Sequence, residues 1–366
     1  MDYEKPLFFH VMQYARAADH DVMDMVSGNP DWEPPAAIRT ALREYADGEP
    51  ATFQYPPSPG LDELREAIAR RRGVAPDQVV VTNGAGEANY LAMALALDRD
   101  AGDEVLMVDP VYSYYPGKTA LLDGTQRFVS VGPDGRLDVA AVREAATEQT
   151  ACIVVNSPNN PTGAVYSAET VRGLVAVAEE YDAILLADEV YDHFDLSGRF
   201  TSALAVDSPH RIVTNSFSKS MAITGFRVGY VILPPAYVDA ATRRHMLVNV
   251  AGSRPAQFAV YRALCETEPA YYEANRDRLA GRVERFTAAL DAAGAEYVRP
   301  DGAFYVLARF EGYPGTLENV ERLVDEAGVA GMPGETFGDS CRDWIRFALV
   351  TPEVEAAGEA LASYFG

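Results

Sequence analysis

The residues with the most chemical promise lie in one stretch, 211–230: Arg-Ile-Val-Thr-Asn-Ser-Phe-Ser-Lys-Ser-Met-Ala-Ile-Thr-Gly-Phe-Arg-Val-Gly-Tyr. An apolar run suited to a buried strand, Ile212 to Thr214, leads into Ser216, Ser218 and Lys219, and Arg227 follows. A lysine just past a buried strand is badly placed for a solvated charge. Two hydroxyls and an arginine close by suit a phosphate. An amine beside a phosphate site points to a phosphorylated aldehyde held as a Schiff base. Alone, the stretch equally admits an ordinary helix start with a surface lysine. The scarcity of lysine (Lys5, Lys118 and Lys219 are the whole set) makes an incidental one at a strand end less natural.

Other polar residues sit at comparable places. Gly84-Ala85-Gly86 opens a helical segment, where free N–H groups and the helix dipole favour an anion and glycine allows close approach, although such a triplet also makes a plain turn. Asp188 follows an apolar strand, and a buried carboxylate needs a cation: a protonated pyridine nitrogen, or an arginine in a structural pair. Tyr191 and Asn160 can hydrogen-bond a phenolic oxygen, which stabilises an unprotonated Schiff base. Tyr112 can lie on a ring face or be a core tyrosine, and Tyr114 and Tyr115 beside it leave the choice of ring open. Arg346, inside the apolar run Trp344-Ile-Arg-Phe-Ala-Leu, needs an anion: a substrate carboxylate gripped by its fork, or a structural partner.

The elements that must position these residues alternate. Short apolar runs (Val79–Val81, Glu104–Val108, Arg127–Val131, Ala151–Val155, Ile184–Ala187, Ile212–Thr214, Tyr230–Leu233) are spaced by helical patterns such as Leu61–Arg72, Glu87–Leu97, Val139–Thr147 and Ala168–Glu180. Such alternation implies an α/β fold with a mostly parallel sheet covered on both faces. The polar clusters sit at the carboxyl ends of the strands, where such sheets bind ligands. After residue 255 the pattern changes to long helices (Gln257–Thr267, Tyr271–Ala292) and strands near Tyr297, Ala303–Ala308 and Trp344–Leu349, with a terminal helix from Pro352. A smaller α+β domain is expected there. An amphipathic helix, Phe8–Ala18, begins the chain.

Composition narrows the function classes. The chain has 366 residues, 48% hydrophobic and 23% charged, enough for two domains. Its net charge of −23 speaks against nucleic acid as a partner. No apolar run approaches the roughly 18 residues that span a bilayer, and the start Met1-Asp-Tyr-Glu-Lys has no secretory pattern, so a cytoplasmic protein without a membrane partner is expected. Cys152, Cys265 and Cys341 show no ligand or disulfide spacing, and neither do the five histidines, so no metal is expected. Scarce lysine with abundant Asp and Glu suggests a high-salt source, where screening relieves self-repulsion; the plainer alternative is a merely acidic protein.

The segments Asn156-Ser-Pro-Asn-Asn-Pro-Thr-Gly, Asp188-Glu-Val-Tyr and Ser216-Phe-Ser-Lys-Ser-Met-Ala-Ile-Thr-Gly-Phe-Arg-Val-Gly-Tyr resemble the signature set of class I/II pyridoxal-phosphate aminotransferases. Order and spacing match from Gly28-Asn-Pro-Asp to Arg346, so the resemblance spans nearly the whole chain. It implies the fold-type-I architecture: a large domain with a mostly parallel seven-stranded sheet (46–255) and a smaller α+β domain from both chain ends (1–45 and 256–366). It implies pyridoxal 5'-phosphate as cofactor, with Lys219 forming the aldimine, Asp188 on the ring nitrogen, Tyr191 and Asn160 on the ring hydroxyl and Tyr112 stacked on the ring. Ser216, Ser218, Arg227 and the amides of Ala85 and Gly86 match the phosphate cup. Arg346 matches the carboxylate clamp, aided by Asn160 and Gly28, and Tyr55 matches the tyrosine lent to the neighbouring subunit's phosphate, which makes the site a property of a homodimer. Cis bonds before Pro110 and Pro161 are implied as well.

The implied reaction is ping-pong transfer of an amino group from an L-amino acid to a 2-oxo acid. The alternatives are another reaction on the same scaffold (a C–S β-lyase, a decarboxylase or a biosynthetic cyclase) and a non-catalytic dimeric binding module. One position departs from the pattern. Family members that act on aspartate often carry a lysine at Gly86 for the distal carboxylate; glycine cannot do this, which argues against a dedicated aspartate enzyme unless an arginine elsewhere substitutes. Tyr114, Tyr115 and Phe9 suit an apolar or aromatic side chain.

Overall fold

The computed structural model describes residues 7–132 and 135–366. The chain opens with helix α1 (Leu7–Ala17), strand β1 (Met23–Asp24) and helix α2 (Ala36–Ala46). Then follow α3 (Asp62–Arg72), β2 (Val79–Thr82), α4 (Ala85–Leu97), β3 (Glu104–Asp109), α5 (Tyr114–Leu121), β4 (Thr125–Ser130), α6 (Val139–Ala145), β5 (Thr150–Asn156), α7 (Ala168–Glu180), β6 (Ile184–Asp188), β7 (Arg211–Ser216), the one-turn helix α8 (Phe217–Ser220) and β8 (Gly229–Ile232). The last third holds α9 (Pro235–Asn249), α10 (Arg254–Glu266), α11 (Pro269–Ala292), β9 (Glu296–Val298), β10 (Tyr305–Arg309), α12 (Leu317–Ala327), β11 (Val329–Ala330), β12 (Met332–Pro333), β13 (Ile345–Ala348) and α13 (Val354–Phe365).

The large sheet has seven strands in the order β2-β8-β7-β6-β5-β3-β4. Strands β5, β6 and β7 are buried along their whole length, as sheet strands covered on both faces must be, and so read as continuous apolar runs. Only β8 runs antiparallel, to both β2 and β7, with Gly229 opposite Thr82 and Ser216. This reversal has a consequence for function. A residue just before β8 lies at the same sheet edge as residues just after β2, β6 and β7, so Arg227 arrives beside Gly84 and in the cavity that Asp188 and Lys219 line.

One core lies on the face covered by α3, α7 and α10, and includes Ile38 and Ala41 of α2. A second, under α4, α5 and α9, covers the other face. A third surrounds the antiparallel sheet β12-β13-β10-β9 with α1, α11, α12 and α13, while β1 pairs with β11. Helix starts follow local chemistry: Ser167 accepts from the Thr170 amide at the head of α7, and Thr316 from the Asn319 amide at the head of α12.

Helices α2, α5, α9 and α12 go beyond the sequence expectation. In α5 Pro116 sits in the first turn, where its missing N–H costs nothing, and Gly117 follows; the pair reads as a turn in sequence. Strand β4 starts two residues before the expected Arg127, because the Thr125 amide donates to the Asp103 carbonyl. The peptides before Pro110 and Pro161 are cis, as is Ser157–Pro158.

Candidate active site

At the end of β6 the Asp188 carboxylate is fixed from three sides. Its Oδ2 accepts from Asn89 Nδ2 at 2.7 Å and from the Tyr115 hydroxyl at 2.7 Å, and its Oδ1 from the Val190 amide at 3.2 Å. Asn89 is held in turn by the Thr214 hydroxyl at 2.6 Å. Burial pushes the Asp188 carboxyl up, and hydrogen bonds from Tyr115, Asn89 and Val190 oppose it. No cation comes within ion-pair distance among the described residues. The buried arginine of this region, Arg72, pairs with Glu189 and Asp192 instead. The structural ion pair is therefore ruled out for Asp188, and a buried acceptor facing a cavity fits a protonated ring nitrogen.

Lys219 is no surface charge. Its Nζ donates to the Gly28 carbonyl at 2.7 Å and lies 5.9 Å from the Phe304 ring centroid. Burial, together with Arg346 and Arg227, lowers the amine to about 8. Beside it, Arg227 has φ +57° and donates to the carbonyls of Thr224 (2.9 Å) and Asn83 (3.1 Å). Two glycines make this possible. A Cβ at Gly84 would lie 2.5 Å from Arg227 Nη2, and one at Gly229 would lie 2.7 Å from the Ala85 nitrogen. Only glycine lets β8 and the start of α4 close on each other. The first amides of α4, from Ala85 and Gly86, have no partner within the helix, and the hydroxyls of Ser216 and Ser218 have none among the described residues. All four residues line the cavity, and a Cβ at Gly86 would meet nothing within 4 Å. This donor-rich cradle fits a phosphate.

Arg346 projects from β13 into the same cavity. It donates to Asn160 Oδ1 at 3.3 Å and to the Val26 carbonyl, and its guanidinium lies 4.4 Å from the Tyr305 ring and 5.3 Å from that of Phe337. Its Nε is buried without a partner, and it makes no ion pair among the described residues. Asn160 is set by its amide donating to Asn156 Oδ1 at 2.8 Å. The Tyr191 hydroxyl shares a 3.1 Å hydrogen bond with that of Tyr305, and Tyr112 packs on Tyr114 and Tyr115 at 4.9 and 5.7 Å between centroids.

The structure thus brings every expected site residue into one cavity except Tyr55, which is 82% exposed. Phe8 lines the cavity, whereas Phe9 points outward. Asn89, Thr214 and Tyr305 were not foreseen. A polar Asn within the Ala- and Leu-rich α4 was the only sequence signal for the first. Lys118 also lines the cavity; its signal was the rarity of lysine.

The family model for aminotransferase class I and II matches residues 20–361. The aspartate/prephenate aminotransferase of Thermus thermophilus is 34% identical over 94% of this chain and 91% of its own. The aspartate aminotransferase of Thermotoga maritima is 36% identical over 93% of this chain and 90% of its own. Among solved structures, Thermus thermophilus aspartate aminotransferase with maleate superposes with a TM-score of 0.91 at 32% identity, covering 98% of this chain and 97% of that one. N-succinyldiaminopimelate aminotransferase from Mycobacterium tuberculosis does so with 0.91 at 30%, covering 99% and 97%. With this match and a cradle, an amine and a carboxylate that suit the cofactor, the chain belongs to the class I and II aminotransferases and is a pyridoxal-phosphate-dependent enzyme that moves an amino group from an amino acid to a 2-oxo acid.

Proposed function

We propose that Lys219 is the Schiff-base lysine, that Arg346 clamps the substrate carboxylate, and that the substrates carry bulky apolar or aromatic side chains. One observation carries this reading: Lys219, Asp188 and Arg346 face one cavity, and none has a side-chain counter-ion among the described residues. A cofactor and a carboxylate substrate together would supply all three partners.

When bound, pyridoxal phosphate supplies an aldehyde for the amine and a ring that draws electrons from the substrate's α-carbon. The protein does the rest. Ser216, Ser218, Arg227 and the amides of Ala85 and Gly86 hold the phosphate. Asp188, locked by Asn89 and Tyr115, keeps the ring nitrogen protonated. Tyr191 and Asn160 would bind the ring hydroxyl, and Tyr112 would pack against the ring. The Lys219 amine, already lowered to about 8, takes the substrate's α-proton and returns it on the other side of the transfer. Arg346, braced by Asn160 and the Val26 carbonyl with Gly28 alongside, fixes the carboxylate so that the α-carbon faces Lys219.

The substrate class is read from the remaining lining. Phe8, Tyr114, Met332 and Phe337 are apolar or aromatic, and Gly86 leaves open space where a distal carboxylate would need a cation. Two of the relatives are named for aspartate, and one of these also for prephenate, whose carbon skeleton is cyclic and bulky. A half-reaction screen of phenylalanine, tyrosine, leucine, aspartate and glutamate, followed by loss of the cofactor's visible band, tests this. Aromatic donors are expected to react faster than aspartate; a clear preference for aspartate would overturn the assignment.

The homodimer belongs to the proposal. Tyr55 is exposed and does not line its own cavity, and Phe53, Leu247, Val248 and Val250 are exposed apolar residues that a second copy could cover. The two-unit division (46–255 against 1–45 with 256–366) is proposed with one refinement: α2 and α10 pack into the core of the large sheet, so the parts free to close over substrate are those before α2 and from α11 onward. A cytoplasmic location, supported by three free cysteines, and a high-salt habitat complete the reading.

A further inference from the structure

We propose that Lys118 is a positioning residue that sets the electrostatic environment of the cofactor's ring nitrogen by presenting a second cation to Asp188. The inference rests on the cofactor being held as described above, and concerns a residue to which the mechanism gives no role.

The geometry comes from α5. Tyr115 bonds Asp188 through its hydroxyl at 2.7 Å, and Lys118 lies three residues on, on the same side of the helix, and lines the same cavity. Its amine has poor company. The Tyr114 carbonyl is 3.4 Å away, the Tyr114 ring centroid 5.4 Å, and no carboxylate comes within ion-pair distance among the described residues. Tyr114 and Tyr115 on its own helix, Tyr112 just before it, the neutral Asn89 from α4 and Asp188 from β6 line the same cavity. Burial lowers the amine to about 8, and Asp188 is the one charge that acts to hold it up. Arg346 and Arg227 bear on Lys219 and not on Lys118.

Asp188 therefore serves two cations, the protonated ring nitrogen and the Lys118 ammonium. They compete. An ammonium at 118 weakens the hold on the ring proton, and a protonated ring lowers the Lys118 amine by the same coupling. Once Lys118 is neutral the carboxylate belongs to the ring alone. While Lys118 is charged the ammonium counts against the ring cation.

The test uses the holoenzyme with Lys118→Met and Lys118→Arg, each checked for an unchanged melting transition. The first readout is the pH titration of the cofactor's visible band. Loss of the cation should move it up by about one pH unit in Lys118→Met, while Lys118→Arg, which keeps a charge, stays with the wild type or below it. The second is cofactor dissociation at neutral pH, expected to be roughly tenfold tighter in Lys118→Met. Coincident titrations of Lys118→Met and wild type overturn the inference. So does an unchanged titration with a KM for aspartate raised more than about tenfold, which would place the amine in substrate recognition instead. If the wild type takes up no cofactor at all, the cofactor reading itself fails, and this inference with it.

Discussion

At the floor of the cavity Asp188 accepts three hydrogen bonds, and its donors are themselves held, Asn89 by Thr214. At the end left to grip ligands, the mouth, Arg346 is as buried as Asp188 but keeps an Nε without a partner, and the Thr336 hydroxyl is equally alone; the Ser216 and Ser218 hydroxyls line the same cavity without a protein partner among the described residues. The floor is finished before any ligand arrives; the mouth is finished by the ligand. The difference follows from what each must do. On the proposed assignment, a group that tunes a bound ring profits from rigid neighbours, whereas groups that take hold of the cofactor's phosphate or of a passing carboxylate must leave donors free.

The contrast can be broken experimentally. The largest effect is expected between the two regions, at Lys219: Lys219→Ala should lower turnover by roughly 10⁴-fold while phosphate contacts still retain cofactor non-covalently, as a filtration assay with absorbance would show. At the floor, Asp188→Asn should cut kcat by about 10²–10³-fold, and its cost of about 1–3 kcal/mol in the apoenzyme, from donors that lose their anion, is measurable by denaturant titration. At the mouth, Arg346→Ala should act differently, raising KM for the amino acid about 10²-fold with little net loss of apoenzyme stability, because the hydrogen bonds lost to Asn160 and the Val26 carbonyl are offset by removal of a buried charge that has no counter-ion among the described residues. A comparable loss of stability in both variants would erase the distinction. A subtler sign is pH. If Lys219 is the attachment point, as proposed, its neutral amine must react and burial favours that neutral form, so the rate of cofactor uptake by the apoenzyme should climb as pH rises through about 8 and then level off. The smallest effect is expected at Gly86→Lys, where open space receives the new side chain: the ratio of kcat/KM for aspartate over phenylalanine should rise about tenfold.

The floor and the mouth also differed in how readily they could be read from sequence. Residues at strand ends, such as Asp188, Lys219 and Asn160, were legible because a polar residue that ends an apolar run has few other uses. The sheet was legible for the same reason, since doubly covered strands are almost wholly apolar. The residues that brace the floor were not. Asn89 and Tyr115 lie inside helices, where a single polar side chain leaves no periodic trace, and Tyr115 follows a tyrosine equally fit for the role. The helix that carries Tyr115 and Lys118 was itself hidden by Pro116-Gly117. Tyr305 looked like one more strand aromatic until β10 set it against Tyr191. Short pairs such as β1 with β11 are tertiary outcomes, since two-residue strands carry almost no local pattern.

The bond from the Lys219 amine to the Gly28 carbonyl joins residues 191 positions apart in the chain. The N-terminal segment leaves the ribosome first, yet its docking place is built from Lys219, Tyr305 and Arg346, which come much later. Closing so long a loop is slow compared with local helix formation. Competence should therefore appear late in synthesis. Until the segment around Gly28 settles, the Lys219 amine is without the carbonyl that holds it in the folded chain.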